Sequence, residues 1–242
     1  MAVLGALLAG ACAWAGGQPG QEAAQDRDEA ARERMVSRHL AGRDIRDPSV
    51  LEAMGRVPRH LFVPPALRSR AYDDTPLPIG HGQTISQPYI VALMTQLVRP
   101  RPGDRALEVG TGSGYQAAVL ARLVKEVFSV EIVEVLAREA EARLRELGYR
   151  NVTVRAGDGY GGWPERAPFD VILVTAAPDH VPPALVEQLA RGGRMAIPVG
   201  PRGREQLLRV IEKDEEGRVR TREVAPVLFV PLVREPGAPA ER

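Results

Sequence analysis

The sequence predicts an α/β domain built around a mainly parallel sheet with helices on both faces. Short apolar runs of strand length recur at 106–109, 127–130, 152–154, 171–174 and 195–199. Helical stretches at 115–124, 134–147 and 182–190 separate most of them, and such alternation makes βαβ units. A glycine-rich turn, Gly110-Thr111-Gly112-Ser113-Gly114, follows the first run and opens the first of those helices. Three glycines there let the backbone turn sharply and come close to a ligand.

The chain has 242 residues, enough for one large domain and its extensions but short for two. Three parts are expected within residues 28–234: helices and a long loop over 28–100, the alternating core over 101–200, and strands over 201–234. A helical pattern starts near Asp28 and runs through Met35, Val36 and Leu40. Asp47-Pro48-Ser49 then offers a cap and a first-turn proline for a second helix. Pro58, Pro64, Pro65, Pro76 and Pro78 interrupt the stretch up to Ile85. It should form a loop with short turns, and its apolar residues Leu61, Phe62, Val63, Tyr72, Leu77 and Ile79 mark it as an ordered lid. From Ser86, the positions Ile90, Leu93, Met94 and Leu97 have helical spacing. Beyond the core, 207–212, 218–224 and 227–232 have no helix between them and should pair antiparallel at the sheet edge. In the 134–147 helix, Glu134/Arg138, Glu139/Arg143 and Glu141/Arg145 are spaced as ion pairs on a solvated face.

Composition narrows the function. A formal net charge of +1 gives no global field toward polyanions, so nucleic acid is not an expected partner. One cysteine, Cys12, rules out an internal disulfide framework and a CxxC zinc site, and the four histidines have no ligand spacing, so no metal is expected. Residues 1–27 lead with an apolar run, Ala2 to Gly10, that has no Lys or Arg before it and is short for a bilayer span. A flexible N-terminus, a polar linker from Gln18 to Asp28 and a cytoplasmic monomer are expected, with no membrane partner; the alternative is export, with 1–17 as a signal segment. Residues 235–242 form a tail.

The glycine turn lacks the glycine at position 115 that a dinucleotide fingerprint needs, since Tyr115 stands there. The second strand ends at Glu131, about twenty residues on, where a carboxylate can accept from both hydroxyls of a ribose. Asp158-Gly159 follows the third strand. Glu108, Glu131 and Asp158 thus stand at three successive strand ends on the edge where open α/β sheets bind ligands. Together they fit S-adenosylmethionine, with its amino-acid end near Glu108 and Gly110 to Gly114, its ribose at Glu131 and its adenine near Asp158 and Gly159. Glu108 and Asp158 could each instead cap a turn. Thr175-Ala176-Ala177-Pro178 after the fourth strand is not the Asn/Asp-Pro-Pro-aromatic motif of enzymes that methylate exocyclic nitrogens.

The stretch from Pro76 to Pro88, Pro-Leu-Pro-Ile-Gly-His-Gly-Gln-Thr-Ile-Ser-Gln-Pro, resembles the substrate and cofactor loop of the protein L-isoaspartate O-methyltransferases. Arg56-Val57-Pro58-Arg59, Phe62-Val63-Pro64, Glu108 to Tyr115, Gly157-Asp158-Gly159, Ala167-Pro168-Phe169-Asp170, Pro198-Val199-Gly200 and Phe229-Val230-Pro231-Leu232 follow that family's order over residues 30–234. The resemblance implies a Rossmann-like S-adenosylmethionine-dependent fold with an N-terminal helical lid. It implies methyl transfer to the free α-carboxylate of L-isoaspartyl residues in damaged proteins and peptides, which starts their repair through a succinimide. Ser86 falls at the family's active-site serine, although a serine before Gln87-Pro88 also suits a helix N-cap. Thr84 and Ile85 would help cover the cofactor, and Val227 and Leu228 would meet the substrate backbone. The alternatives are a small-molecule O-methyltransferase sharing only the cofactor domain, and an inactive cofactor- or isoaspartyl-binding module.

Overall fold

The computed structural model describes residues 19–234, so the expectations for 1–17 and for the 235–242 tail lie outside the described residues. The chain enters through helix α1 (Pro19–Arg34), which passes into a π-helical segment, Met35–Ala41. The polar stretch expected as a linker is therefore helical from Pro19. Its residues, rich in Ala, Glu, Gln and Arg, are strong helix formers that carry no apolar stripe, so hydrophobic spacing did not mark them. Helix α2 (Pro48–Arg56) starts as expected: the Asp47 carboxylate accepts from the N–H groups of Ser49 at 2.9 Å and Val50 at 3.4 Å.

The proline-rich stretch is more regular than a loop. Two 3-10 turns, Arg59–Phe62 and Pro65–Arg70, lead to a hairpin of β1 (Leu77–Gly80) and β2 (Gln83–Ile85). Its tip, Gly80-His81-Gly82, has positive φ at all three residues. Phe62, Val63, Tyr72 and Leu77 are buried, so the stretch is part of the core and places the hairpin over the sheet edge. Helix α3 (Pro88–Val98) follows directly.

Then come β3 (Arg105–Val109), α4 (Tyr115–Ala121), β4 (Glu126–Glu131), α5 (Glu134–Glu146), β5 (Val152–Ala156), β6 (Phe169–Val174), α6 (Pro183–Gln188) and β7 (Leu189–Val199). Strands β8 (Gln206–Lys213) and β9 (Val219–Val227) complete a seven-stranded sheet of order β5-β4-β3-β6-β7-β8-β9. Pairing is parallel from β5 to β7 and antiparallel through β8 and β9. Alternate residues face opposite layers. Ala106, Val171, Leu173 and Ala196 pack with α3 and α4, whereas Leu107, Ile172, Val174, Met195 and Ile197 pack in a second cluster with Leu185 and Trp163.

Two expectations are corrected here. Residues 227–232 do not add a third edge strand, because β9 absorbs 219–227 and the chain then leaves the sheet. Pro231, which has no N–H to give a ladder, instead sits in a parallel bridge with Ala177. On α5 only Glu134 and Arg138 form the expected pair; the Arg143 guanidinium turns inward and donates to the Ser113 carbonyl at 2.8 Å.

Candidate active site

After β3 the chain crosses to β4 on one side and returns to β6 on the other, so the carboxyl ends of β3 and β6 lie at the point where strand order reverses. Crevices form there because the two connections leave in opposite directions. The glycine turn hangs from this point. Thr175, just past β6, gives its N–H to the Val109 carbonyl and its hydroxyl to the Gly110 carbonyl at 2.6 Å. A side chain on Gly110 has no room, since a Cβ would lie 2.4 Å from Thr175 Oγ1 and φ is +99°.

The three acidic strand ends have different fates. Glu131, 5% exposed, accepts from the N–H groups of Gly112 at 2.7 Å and Val133 at 3.0 Å, one on each carboxylate oxygen. Each oxygen keeps a second lone pair for a ligand hydroxyl. Glu108 is fully buried and takes a hydrogen bond from Ser129, whose hydroxyl is in turn 2.5 Å from that of Thr111. Its Oε1 has no partner among the described residues, and burial pushes its carboxyl up to about 8. Asp158 turns back and accepts from the Tyr160 N–H at 2.9 Å, the turn-capping alternative. Its neighbour Gly159 faces the crevice, and a Cβ there would strike Val109 Cγ1 at 2.4 Å.

Three spaces meet around the glycine turn. A narrow crevice of about 50 Å³ is lined by Gly110, Gly112, Glu131, Gly159 and Thr84 and closed over by Val230 to Val233. Backbone bonds hold the segment: Ala177 N–H donates to the Val230 carbonyl and Leu232 N–H to the Ala177 carbonyl, both at 2.8 Å. A small cavity joins Glu108, Thr111, Gly112 and Ser113 to Thr84, Ile85 and Ser86. A groove of about 640 Å³ opens on the other side of Ser86, between the 203–205 turn and Pro226 to Val230. Val227 is buried and Leu228 is 75% exposed, and both line that groove.

Ser86 is held by its backbone. The guanidinium of Arg59, fully buried, gives Nη2–H to the Ser86 carbonyl at 2.8 Å and Nε–H to the Ala71 carbonyl at 2.7 Å. Gln87, not Ser86, occupies the N-cap of α3; Asp74 supplies the missing acceptor, taking the Tyr89 N–H at 3.0 Å and the Gln87 amide at 2.8 Å. The Ser86 hydroxyl makes no hydrogen bond among the described residues, so it is available to a ligand. Sequence reasoning missed Thr175, Arg59 and Asp74. Thr175 had a signal, its place at the fourth strand end, and Arg59 stood in the Arg56-Val57-Pro58-Arg59 motif without a role assigned to it; Asp74 acts on backbone further along the chain and had none.

A family model described as protein-L-isoaspartate(D-aspartate) O-methyltransferase matches residues 30–237. The chain belongs to that family. Among curated relatives, a protein-L-isoaspartate O-methyltransferase of Opitutus terrae is 59% identical over 204 residues, 84% of this chain and 87% of that protein. A solved Plasmodium falciparum structure, assigned as a protein-L-isoaspartate O-methyltransferase and holding S-adenosyl-L-homocysteine, has a TM-score of 0.72 at 27% identity, covering 84% of this chain and 99% of that one. Another solved protein-L-isoaspartate O-methyltransferase has a TM-score of 0.73 at 29% identity; the match covers 84% of this chain and 65% of that longer chain. The expected family, fold class and cofactor class of this isoaspartate methyltransferase family member therefore stand. Its donor set fits S-adenosylmethionine: a carboxylate with two outward lone pairs at Glu131, an orphaned buried oxygen on Glu108, and a turn at Gly110 that only glycine can make. Among the described residues no cluster of His, Cys, Asp or Glu could hold a metal ion, and no helix is long and apolar enough to cross a membrane.

Proposed function

We propose that this chain transfers a methyl group from S-adenosylmethionine to the free α-carboxylate of L-isoaspartyl residues, with Ser86 aiming the carboxylate. The neighbouring backbone nitrogen then attacks the ester carbonyl and expels methanol to close a succinimide, and hydrolysis returns part of it to aspartate. One observation carries the reading: Ser86, Thr84 and Thr175 line both the space beside the glycine turn and the groove toward Leu228. A ligand in each would meet at the Ser86 hydroxyl.

Bound S-adenosylmethionine supplies an electrophilic methyl carbon on a sulfonium. Glu131 accepts the ribose hydroxyls, Glu108 faces the amino-acid end, and Gly159 lets the base lie against the sheet edge. Asp158, whose Oδ1 accepts the Tyr160 N–H, stands beside Gly159 at the adenine end. Thr84 and Ile85 cover the cofactor from the hairpin. On the groove side, Val227 and Leu228 present backbone and an apolar rim to a peptide. No titratable side chain lies among the three residues shared by both spaces. None is required, since an α-carboxyl with pKa of roughly 3.5 is already ionised at neutral pH. Ser86 donates one hydrogen bond to a carboxylate oxygen and leaves the other to attack. Sulfonium and carboxylate lose their charges together, so a site that excludes water favours the transition state.

The test is label transfer from methyl-labelled S-adenosylmethionine to an isoaspartyl peptide as a base-labile ester. Ser86→Ala should keep cofactor affinity within about twofold and lose kcat on the order of a hundredfold, the scale of one misplaced donor. Full activity in that variant removes Ser86 from the chemistry. Labelling of a small alcohol but of no isoaspartyl peptide replaces the substrate assignment with the small-molecule one.

A further inference from the structure

We propose that Gln206 is a positioning residue that holds both walls of the peptide groove in register, and so sets peptide affinity apart from cofactor affinity. The proposal rests on the reading above, in which the groove takes the peptide and the crevice takes the cofactor. Gln206 opens β8 and is 1% exposed, which is unusual for an amide side chain. Its Oε1 accepts the Phe229 N–H at 2.8 Å. Its Nε2 donates to the Arg204 carbonyl at 2.7 Å and reaches the Pro201 carbonyl at 3.5 Å.

Those partners lie on the two sides of the groove. Gly203, Arg204 and Glu205 form one wall, and Val227, Leu228 and Phe229 form the other. The β8–β9 ladder ends at the pairing of Gln206 with Val227, and past it neither wall has a ladder to hold it. Residues 201–205 are a turn between β7 and β8, and 228–230 have left β9. The amide therefore supplies the only described side-chain link from one wall to the other, with a donor on one side and an acceptor on the other. Gly200 backs onto the same residue without room for a side chain: a Cβ there would lie 2.9 Å from Gln206 Cα and 3.1 Å from its Cγ.

The cofactor side is fastened separately. Val230 and Leu232, which close the crevice over Glu131 and Gly159, hang from the backbone of Ala177 and not from Gln206. Loosening Gln206 should widen the peptide groove and leave the crevice intact. A residue that merely stabilised the fold would change both.

The experiment is Gln206→Met, which keeps the length and loses every hydrogen bond, read by peptide KM, kcat at saturating peptide, and S-adenosylmethionine Kd by calorimetry. A loss on the order of one buried hydrogen bond per wall should raise peptide KM about tenfold or more, with kcat and cofactor Kd within about threefold. Gln206→Glu, equal in size, keeps an acceptor for the Phe229 N–H but turns oxygen toward the Arg204 carbonyl, and should raise KM in the same sense. It serves as the second variant if the methionine protein does not fold. Unchanged KM in a folded variant overturns the proposal, as does a cofactor Kd that rises in step with KM. The wild-type protein separates the two layers: if it labels no isoaspartyl peptide, the underlying function fails, whereas a competent wild type with an indifferent Gln206 variant fails this inference alone.

Discussion

Replacing Glu108 by Gln should make the protein more stable at neutral and alkaline pH while leaving it unchanged near pH 4. In the folded chain burial pushes the Glu108 carboxyl up to about 8, against a usual value of about 4.3 when exposed. Between those values the folded form keeps a proton that the unfolded form has released, so stability falls as pH rises through that window and levels off above it. Each pH unit costs about 1.4 kcal/mol, so the penalty reaches roughly 4 kcal/mol by pH 7.5, with a ceiling near 5 kcal/mol. Glutamine has the same shape and no proton to lose, and its amide can still face the Ser129 hydroxyl. Urea unfolding of both proteins at intervals from pH 4 to 8.5 gives the comparison, and other carboxylates cancel in the difference. The stability gap between variant and wild type should open with pH and then flatten; a gap that does not change with pH refutes the reasoning. The same carboxyl links stability to function. If, as proposed, the cofactor's ammonium lies beside the orphaned Oε1, it favours ionisation, so binding at neutral pH should release a proton, seen as heats that depend on buffer ionisation enthalpy. Glu108→Gln should abolish that dependence.

Two further outcomes follow from the crevice. On the proposed reading Glu131→Ala removes two charge-assisted bonds to ribose hydroxyls, worth about 1.5–3 kcal/mol each, so S-adenosylmethionine Kd should rise roughly a hundredfold or more; an unchanged Kd by calorimetry would undo the ribose assignment. Gly110→Ala forces φ near +99° on an L residue and drives a Cβ to 2.4 Å from Thr175 Oγ1. It should cost about 3 kcal/mol or more in urea unfolding, and a near-native value would mean that the turn adapts more freely than its packing suggests.

The alternation of strands and helices was legible because burial on both faces of a parallel sheet leaves continuous apolar runs, and 106–109, 127–130 and 171–174 each lie within an observed strand. The glycine turn was legible through residue types that few other environments require, and the Ser86 loop through its resemblance to the family's substrate and cofactor loop. What the pattern did not carry was direction. Asp158 and Glu131 stand at equivalent strand ends, yet one turns back to a local N–H and the other spans to Gly112, depending on which backbone groups each turn leaves unpaired. Arg143 was spaced for an ion pair with Glu139 and serves Ser113 instead, because a buried carbonyl gains more from a partner than an exposed carboxylate does. Residues 227–232 alternate like a strand, but the ladder was already filled by 219–227 and Pro231 could not extend it.

The side chains that sequence reasoning overlooked share one property: Arg59, Asp74, Thr175 and Gln206 each bond to main-chain atoms of another element at the mouth of the site. Arg59 has a further electrostatic effect. Burial pushes it down to about 10, which still leaves it cationic at neutral pH, with Nη2 2.8 Å from the Ser86 carbonyl. A positive charge therefore lies behind the serine while the readily protonated Glu108 lies across the small cavity from it. On the proposed reading, the Arg59 charge draws an anionic oxygen toward Ser86, while Glu108 ionises as a cationic amino-acid end arrives beside it and so holds that end on the far side of the cavity.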